Sequence, residues 1–444
     1  MASSQPGAGG ASAPPQWSSR YAFLMAAIGA AVGLGNLWRF PFQTGQHGGS
    51  AFVLVYLVCV VLIAYPILMA EIAMGRSKRL SAVGSVSALA RDVGATPLWG
   101  VLGLIGILAS YFVLTTYSMV AGQIMSFSVM SFMGVFGDMA PGAALPLYDG
   151  PVHAVAWFTL FLGLTILIVA QDLHGGIERL VSILMPLFFL LLLGLSIYSL
   201  STGAAGRAID YLFAPRFSEI DAGVVLAAMG QAFYSIAVGT AAMITYGAYL
   251  DRKEDIAANA GLIAGADTVV AVIAGLMIFP VVFASGLNPA AGMGLIFDAL
   301  PAVFSDLPGG GVIGGFFFFL AFIAALTSAI VMLLVAVVFV EEWLKWKRLQ
   351  TVLVLGALAW VAGAASISIP NMGPVLDFLA GSVFLPLSGL LGAIFVGWIV
   401  PRAVMREQLH NSSENMFRFW RFMIRYLAPI AVGAVLVLGL AAQF

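Results

Sequence analysis

The sequence predicts an all-α membrane protein whose eleven spans form two inverted five-helix repeats plus one extra helix. The first observation is composition: 61% of the residues are hydrophobic, 9% are charged, and the mean hydropathy is +1.04. A soluble domain carries about 25% charged residues, so lipid must cover much of this surface. The second observation is a pair of interruptions at corresponding places in the first and sixth apolar segments.

Eleven segments come close to the roughly 20 apolar residues that a helix needs to cross a bilayer. They are 20–43, 49–75, 97–133, 152–171, 177–202, 222–250, 257–285, 311–343, 350–367, 373–401 and 417–442. The stretch 287–309 is too polar and too rich in Pro and Gly to span, so we expect a short helical loop on one face. Residues 1–16, mostly Ala, Gly, Ser and Pro, predict a disordered cytoplasmic tail.

Lysine and arginine are concentrated in the loops on one side of this topology. The basic residues on that side are Arg76, Lys78, Arg79, Arg91, Arg179, Arg252, Lys253, Lys345, Lys347, Arg348, Arg402, Arg406, Arg418, Arg421 and Arg425, against Arg207 and Arg216 on the other. By the positive-inside rule, we expect the N-terminus in the cytoplasm and the C-terminus outside. The predicted units are 17–202, 203–401 and 402–444, which are the first repeat, the second repeat and the eleventh helix.

The first interruption is Gly29-Ala-Ala-Val-Gly-Leu-Gly-Asn36, and the second is Ser235-Ile-Ala-Val-Gly-Thr-Ala241. Paired breaks in corresponding helices are the best sequence indication of a transport site at the middle of the membrane. Glycines can also serve only close helix packing, and one such segment alone would favour that explanation. The pairing, together with the adjacent Asn36, favours discontinuous helices.

Among the ionisable residues within the predicted spans, where charge is costly and usually functional, four stand out: Arg39, Glu71, Asp267 and Asp377. Arg39 and Asp377 both lie toward the outer face, where a pair would neutralise both charges. For Glu71, near a predicted inner end, a structural role is the better explanation. Asp267 has no basic residue nearby in its segment, which makes a purely structural role less attractive.

Three hydroxyl residues, Ser235, Thr327 and Ser328, lie in or beside these apolar segments. Hard monovalent cations prefer oxygen ligands, and an unwound helix supplies free carbonyls. A Thr-Ser pair within a helix usually bonds only its own preceding turn, so the pair alone would mean little.

Other classes of protein fit less well. A net charge of −1 gives no support for a nucleic-acid partner, and the single cysteine, Cys59, excludes an internal disulfide. We see no carbonyl-ring filter of a channel, and His47, His153, His174 and His410 have no metal-ligand spacing. A sensor that binds without transporting stays open as an alternative.

Several motifs resemble one family closely. Trp17-Ser-Ser-Arg20, Gly33-Leu-Gly-Asn36-Leu-Trp-Arg39-Phe-Pro41, Gly48-Gly49 and Glu71-Ile-Ala-Met-Gly-Arg76 are similar to the opening of the neurotransmitter:sodium symporters. That family includes the bacterial leucine transporter, and the resemblance covers nearly the whole chain. It implies the leucine-transporter-like fold, sodium-coupled alternating access, no enzymatic activity and a place in the bacterial inner membrane.

The resemblance implies two sodium ions. For the second sodium site it implies backbone oxygens of Gly29, Val32 and Ala324 with the hydroxyls of Thr327 and Ser328. For the first it implies the Ala31 carbonyl, Asn36, Ser235, Asp267 and the substrate carboxylate. Asp267 stands where many members have Asn.

The resemblance also implies the substrate site and its gate. Tyr117 matches the tyrosine that binds the substrate carboxylate, Arg39 and Asp377 match the outer gate, and Tyr234 matches the aromatic lid. The residues expected to contact the substrate are Ala30, Ala31, Gly33, Val113, Tyr117, Tyr234, Ser235, Ala237, Thr240, Ser328 and Met332. These side chains carry no charge, so we expect a neutral, hydrophobic or aromatic amino acid.

Three features depart from the family pattern. Gly33 stands where monoamine transporters carry an aspartate, which favours an amino acid as substrate. The basic residue usual before Trp17 is absent, so Glu341 and Glu342 lack the expected partner of the inner gate. No twelfth span follows, a shorter form that bacterial members also have.

A last expectation concerns chloride. Tyr56 and Gln231 match neutral groups of the family's chloride site, and Ala271, one turn beyond Asp267, supplies no charge. Asp267 supplies a carboxylate instead, so we expect chloride-independent uptake. Because a buried carboxylate without a cation favours its neutral form, our hypothesis adds proton antiport through Asp267. The alternative is that Asp267 is only a sodium ligand and stays ionised.

Overall fold

The computed structural model describes residues 16–137, 150–290, 297, 300–306 and 308–441. Within these ranges the regular structure is entirely helical. Residues 1–15 of the predicted tail and most of 291–299 lie outside the described residues. The described part of the predicted loop 287–309 contains one short helix, as expected there.

Seventeen helices make up the described structure, in this order along the chain. They are α1 Arg20–Ala31, α2 Gly35–Gln46, α3 Ser50–Lys78, α4 Ala82–Asp92, α5 Pro97–Phe132, α6 Pro151–Val169, α7 Leu173–Leu200, α8 Ala205–Phe213, α9 Ala222–Ser235, α10 Ala242–Ala248, α11 Ile256–Ala284, α12 Leu300–Asp306, α13 Gly310–Leu344, α14 Arg348–Ser368, α15 Met372–Ile399, α16 Arg402–Gln408 and α17 Glu414–Ala441.

Nine of these helices are long and apolar enough to cross a membrane unbroken. α1 and α2 form a tenth span with a bend of 48° between them. α9 and α10 share the sixth predicted segment, separated by 236–241. Breaks therefore interrupt the first and sixth predicted segments, as the sequence predicts, and the protein is a multi-pass membrane protein.

The interior of the bundle is built around α13, the most buried of the long helices. α13 packs along α5 and also contacts α1, α6 and α7. Most residues of the peripheral helices α6, α14 and α17 are exposed or only partly buried. A helix that is apolar on all sides but exposed is suited to lipid rather than water, so these three helices form part of the lipid-facing surface.

Small residues bring the helices next to the second break close together. A methyl group at Gly247 of α10 would lie 2.6 Å from the Ile72 carbonyl oxygen of α3, and one at Gly75 of α3 would lie even closer to the Ile244 carbonyl oxygen. Small residues at such crossings let backbones approach without a penalty. α10 is therefore fixed against α3, which positions one side of the break.

Candidate functional site

The first break is held by its own side chain and by α5. Helix α1 ends as Val32 turns to extended backbone angles. The Gly33 amide donates to Asn36 Oδ1 at 3.0 Å, and the Leu34 amide donates to the Tyr117 hydroxyl at 3.2 Å. Since the Tyr117 hydroxyl accepts at this bond, its own proton is free to be donated into the space beside the break.

The second break contains three residues with positive φ, namely Ala237 at 55°, Gly239 at 80° and Ala241 at 59°. For alanine this conformation costs roughly 1–2 kcal/mol per residue, so contacts from neighbouring helices must hold it. The Gly239 amide donates to Glu71 Oε1 at 2.6 Å, and the Thr240 carbonyl accepts from the Ser110 hydroxyl at 2.6 Å. Glu71 is thus a structural anchor of the break, the role the sequence favours.

Asp267 lies between the two breaks and is fully buried. Its Oδ1 accepts from Asn36 Nδ2 at 2.8 Å, and its Oδ2 accepts from the Ser235 hydroxyl at 2.8 Å. Asn36 Nδ2 also lies 3.2 Å from Ser235 Oγ. Asn36, Ser235 and Asp267, predicted for one ion site, are therefore within hydrogen-bonding distance of one another, and no arginine or lysine among the described residues forms an ion pair with Asp267.

The backbone oxygens predicted for the second ion site converge on Ser328. Its Oγ lies 3.4 Å from the carbonyl oxygens of both Gly29 and Val32 and 3.1 Å from that of Ala324. A hydroxyl carries a single proton, so it satisfies only one of these acceptors at a time. The Thr327 hydroxyl reaches the Ala324 carbonyl at 3.1 Å. This concentration of oxygen lone pairs fits a hard cation.

A cavity lies between these two clusters. All eleven residues predicted to contact the substrate line it, and four more residues complete the wall: Leu34, Gly35, Ser110 and Leu385. A methyl group at Gly33 would lie 2.8 Å from Ser328 Oγ and 3.0 Å from the Tyr117 hydroxyl. Gly33 therefore leaves space in this structure that a larger residue would fill.

Ser110 and Leu385 are lining residues that the sequence did not single out. Ser110 lies one helical turn before Val113 and two before Tyr117, so this spacing places all three on the same face of α5. That spacing was a usable signal for Ser110. Leu385 follows a π-helical turn, 378–384, in α15. No pattern around Leu385 marked it as a neighbour of the breaks.

At one end of the cavity Arg39 lies against Tyr234. The guanidinium carbon is 4.3 Å from the centre of the ring, a cation–π contact that covers the tyrosine. The exposed Asp377 carboxylate is near enough to interact electrostatically with Arg39. These two described groups do not form an ion pair within 4.0 Å.

At the opposite end, the segment before α1 is fixed to the second repeat. The Trp17 indole donates to the Tyr246 carbonyl at 3.1 Å, and its amide donates to the Tyr249 carbonyl at 3.2 Å. With its amide oxygen turned toward Arg79, Gln16 accepts from both terminal nitrogens of that guanidinium, at 2.5 and 3.1 Å. The residue before Trp17 is therefore an uncharged glutamine. The positive charge beside it is that of Arg79, which directly follows α3.

The two glutamates of α13 have partners of their own. Glu341 pairs with Arg348 at 3.5 Å. The carboxylate of Glu342 accepts from the Ser81 amide at 2.6 Å and from the Ser81 hydroxyl at 3.0 Å. The absence of a basic residue before Trp17 therefore leaves neither glutamate without a partner.

The groups matched to a chloride site surround Asp267. Tyr56 is fully buried and faces Asp267, Ser235 and Thr268, but its hydroxyl forms no hydrogen bond of good geometry with them. Gln231 donates its amide to the Gly35 carbonyl at 3.0 Å, and its oxygen has no partner among the described residues. Ala271 is buried nearby on α11. The only carboxylate among these groups is that of Asp267.

Within the described residues, no group of three or more His, Cys, Asp or Glu is arranged to hold a metal ion. The described site thus offers carbonyl, hydroxyl, amide and single-carboxylate oxygens, which are ligands for hard cations rather than for zinc or copper. Discontinuous helices around a buried cavity, with cation-type ligands at the breaks, define a secondary transporter.

The chain belongs to the sodium:neurotransmitter symporter family, whose family model matches residues 14–137 and 151–443. Members of this family are transporters rather than enzymes. The fold is that of the bacterial transporter MhsT, solved in complex with L-phenylalanine. The two share 38% identity and a TM-score of 0.86, over 95% of this chain and 99% of that one.

Two curated relatives extend over almost the same length. One is the uncharacterized sodium-dependent transporter YhdH of Bacillus subtilis, 32% identical over 94% of this chain and 96% of the relative. The other is an uncharacterized sodium-dependent transporter of Haemophilus influenzae, 29% identical over 96% of this chain and 98% of the relative. The leucine-transporter-like fold and the family expected from the motifs are confirmed.

Proposed function

We propose that this protein is a symporter that imports a neutral amino acid with a hydrophobic or aromatic side chain together with sodium, by alternating access. The observation that carries the proposal is the convergence of the Gly29, Val32 and Ala324 carbonyls on Ser328, directly beside the cavity. An ion bound there would stabilise the packing of α1 against α13, so ion binding and the geometry of the first break would be linked.

Two sodium ions are proposed, one at Ser328 and one at Asp267. In the second site, Gly29, Val32, Ala324, Thr327 and Ser328 would supply the oxygens. In the first, the Ala31 carbonyl, Asn36, Ser235 and Asp267 would do so together with the substrate carboxylate. Asn36 Oδ1 accepts from the Gly33 amide, and its Nδ2 donates to Asp267. Because an amide oxygen has two lone pairs, Oδ1 can keep this bond and also ligate sodium.

The ends of the broken helices suit a zwitterionic substrate. The start of α2 is the positive end of a helix, which favours a carboxylate, and the carbonyls at the end of α9 favour an ammonium. Tyr117 would donate its proton to the same carboxylate. The apolar lining, including Val113, Ala237 and Met332, favours an uncharged, apolar side chain. The complex of MhsT with L-phenylalanine supports this class of substrate.

Two gates are proposed at the ends of the cavity. At the outer end, Arg39 and Asp377 would approach each other above Tyr234 when that side closes. At the inner end, Trp17 and the Gln16–Arg79 contact would hold the segment before α1 against α10. We place the protein in a bacterial inner membrane with its N-terminus in the cytoplasm, supported by the basic residues on the side of Arg79.

Uptake into proteoliposomes tests the proposal. Purified protein is reconstituted with a sodium gradient, and uptake of labelled phenylalanine, leucine, alanine and lysine is compared. We expect accumulation of an apolar amino acid that stops when potassium replaces sodium, and no accumulation of lysine. Sodium-dependent binding without accumulation would instead identify a sensor. Accumulation that is independent of sodium would overturn the proposed coupling.

A further inference from the structure

A second cavity lies far along the chain from the transport site, where α15, α16 and α17 meet. It encloses about 420 Å³, and its wall is entirely basic or aromatic: Arg402, Phe417, Arg418, Arg421, Phe422, Arg425 and Tyr426. Nothing in the proposed transport mechanism uses these residues. The clustering of these basic and aromatic side chains therefore needs an explanation other than transport.

The positive charge of this cavity is not neutralised by the protein. Glu414 is shared by three arginines, at 3.1 Å from Arg418 and 3.6 Å from Arg406, with Arg402 also in contact. Among the described residues, Arg421 and Arg425 have no carboxylate within 4.0 Å. Arginines that lack a carboxylate partner favour an anion from outside the chain.

The two uncompensated arginines are nevertheless held in place. Arg421 donates to the carbonyls of Val396 and Val400, at 2.5 and 2.9 Å, so it caps the end of α15. The Arg425 guanidinium stacks 4.3 Å from the centre of the Trp398 ring, and its buried Nε has no hydrogen-bond partner among the residues that the structure describes. Capping accounts for the position of Arg421, but it leaves the charge of both guanidinium groups available.

The position of the cavity relative to the membrane favours one source of anion. α17 begins with a strongly amphipathic stretch, 414–422, and is uniformly apolar from Ala428 onward. Trp398 and Tyr426, whose rings meet at 5.7 Å, are the residue types that mark the headgroup level of a bilayer. Basic pockets between helices at this level bind anionic lipid headgroups.

We propose that this cavity binds the phosphate headgroup of an anionic phospholipid, with Arg421 and Arg425 as the main contacts and Arg402 and Arg418 at the rim. Phe417, Phe422 and Tyr426 would lie beside the glycerol and the upper acyl chain. The site is independent of the proposed substrate. Only the leaflet that supplies the lipid depends on the proposed orientation.

Thermal unfolding of the detergent-purified full-length protein tests this site. Phosphatidylglycerol is added in mixed micelles and compared with phosphatidylcholine and with inorganic phosphate. We expect phosphatidylglycerol to raise the midpoint by several degrees, with little effect of the other two. In the double variant Arg421→Gln/Arg425→Gln, the phosphatidylglycerol concentration giving half of the shift should rise at least tenfold.

Two further variants keep the test decisive. Arg418→Gln changes an exposed rim residue, so it should fold normally even if the double variant does not, and it should show a smaller increase of about threefold. Lys345→Gln/Lys347→Gln removes two exposed charges elsewhere on the same face and should leave the shift unchanged. An unchanged response of the cavity variants, an equal loss in the lysine variant, or an equal stabilisation by inorganic phosphate would each overturn the proposal.

Discussion

The carboxylate of Glu71 on α3 accepts the amide of Gly239 in the second break at 2.6 Å, while its other oxygen is buried and has no hydrogen-bond partner within the described part of the chain. This single bond joins an unbroken helix to a stretch whose backbone is strained at Ala237 and Ala241. Loss of such a buried partner leaves the amide unsatisfied, at a cost of about 1–3 kcal/mol. Glu71 therefore contributes to the site without lining the cavity.

We expect Glu71→Ala to weaken substrate binding by tenfold or more, because the break is no longer held in its binding geometry. Glu71→Gln keeps an oxygen that accepts from Gly239, so it should retain binding within about threefold. Equilibrium binding of labelled substrate to purified protein measures both. A loss as large in the glutamine variant as in the alanine variant would show that the charge of Glu71, and not the bond to Gly239, is what matters.

Replacement of both Thr327 and Ser328 by Ala should abolish sodium-dependent uptake, since two hydroxyls leave the cluster of carbonyl oxygens around the second ion site. Thr165→Ala is a matched control. The Thr165 hydroxyl is equally buried but bonds only the Phe161 carbonyl of its own helix, at 3.1 Å. Sodium-stimulated substrate binding and the unfolding midpoint are measured together. A folded double variant with normal sodium-dependent uptake would refute the assignment of this site.

Most of this site is visible in the sequence because its parts are local. Gly29 to Asn36 form one continuous motif, and Thr327 and Ser328 are adjacent, so their chemistry can be inferred from the chain alone. The contact between Glu71 and Gly239 cannot, because 168 residues separate the two. Neither residue type predicts the other, and only the packing of α3 against α10 brings them together.

The outer gate also shows where sequence falls short. The sequence predicts Arg39 and Asp377 as a pair, and the two lie at the same end of the cavity without forming an ion pair among the described residues. The orientation of the Arg39 side chain is not predictable, since the Tyr234 ring and the Asp377 carboxylate compete for the same guanidinium. In the structure the Arg39 guanidinium lies over the Tyr234 ring. The pairing of Arg39 with Asp377 therefore stays a prediction about the state in which this side of the cavity is closed.

That prediction is tested with Asp377→Asn. If the pair forms only when the outer side closes, this change should reduce the rate of uptake at least tenfold while changing equilibrium binding less than threefold. Asp210→Asn is the control, because Asp210 is an exposed carboxylate that pairs with Arg216 at 3.4 Å and is not near the cavity. Equal losses of uptake and binding in the Asp377 variant would indicate a purely structural role.

At the inner end, Arg79→Gln should loosen the segment before α1. The guanidinium holds Gln16 next to Trp17, so its loss should increase hydrogen exchange at the Trp17 and Ser18 amides, which donate to the Tyr249 carbonyl and to Glu178. Arg91→Gln changes an exposed arginine on the same side and should have no effect. If hydrogen exchange at these two amides is unchanged in the Arg79 variant, Arg79 is not part of the proposed inner gate.

The last prediction concerns the charge of Asp267. With sodium bound close by, the carboxylate is expected to stay ionised, because an opposite charge within a few ångströms favours the charged form. Once sodium and substrate leave, the described residues that face this carboxylate are neutral, namely Asn36, Ser235 and Tyr56. A buried, unpaired charge is costly, so the empty carrier should return with Asp267 protonated, moving a proton outward in each cycle.

Uptake in vesicles with gluconate in place of chloride tests both parts of this idea. We expect wild-type uptake to continue without chloride and to become faster as the internal pH is lowered toward the range in which Asp267 takes up a proton. Asp267→Asn should lose that internal-pH dependence and should depend on added chloride, since Tyr56 and Gln231 could then surround an anion. A strict chloride requirement of the wild type would refute chloride independence. If Asp267→Asn stays active without chloride and keeps the same internal-pH dependence, Asp267 does not carry the proton, and its role reduces to that of a sodium ligand.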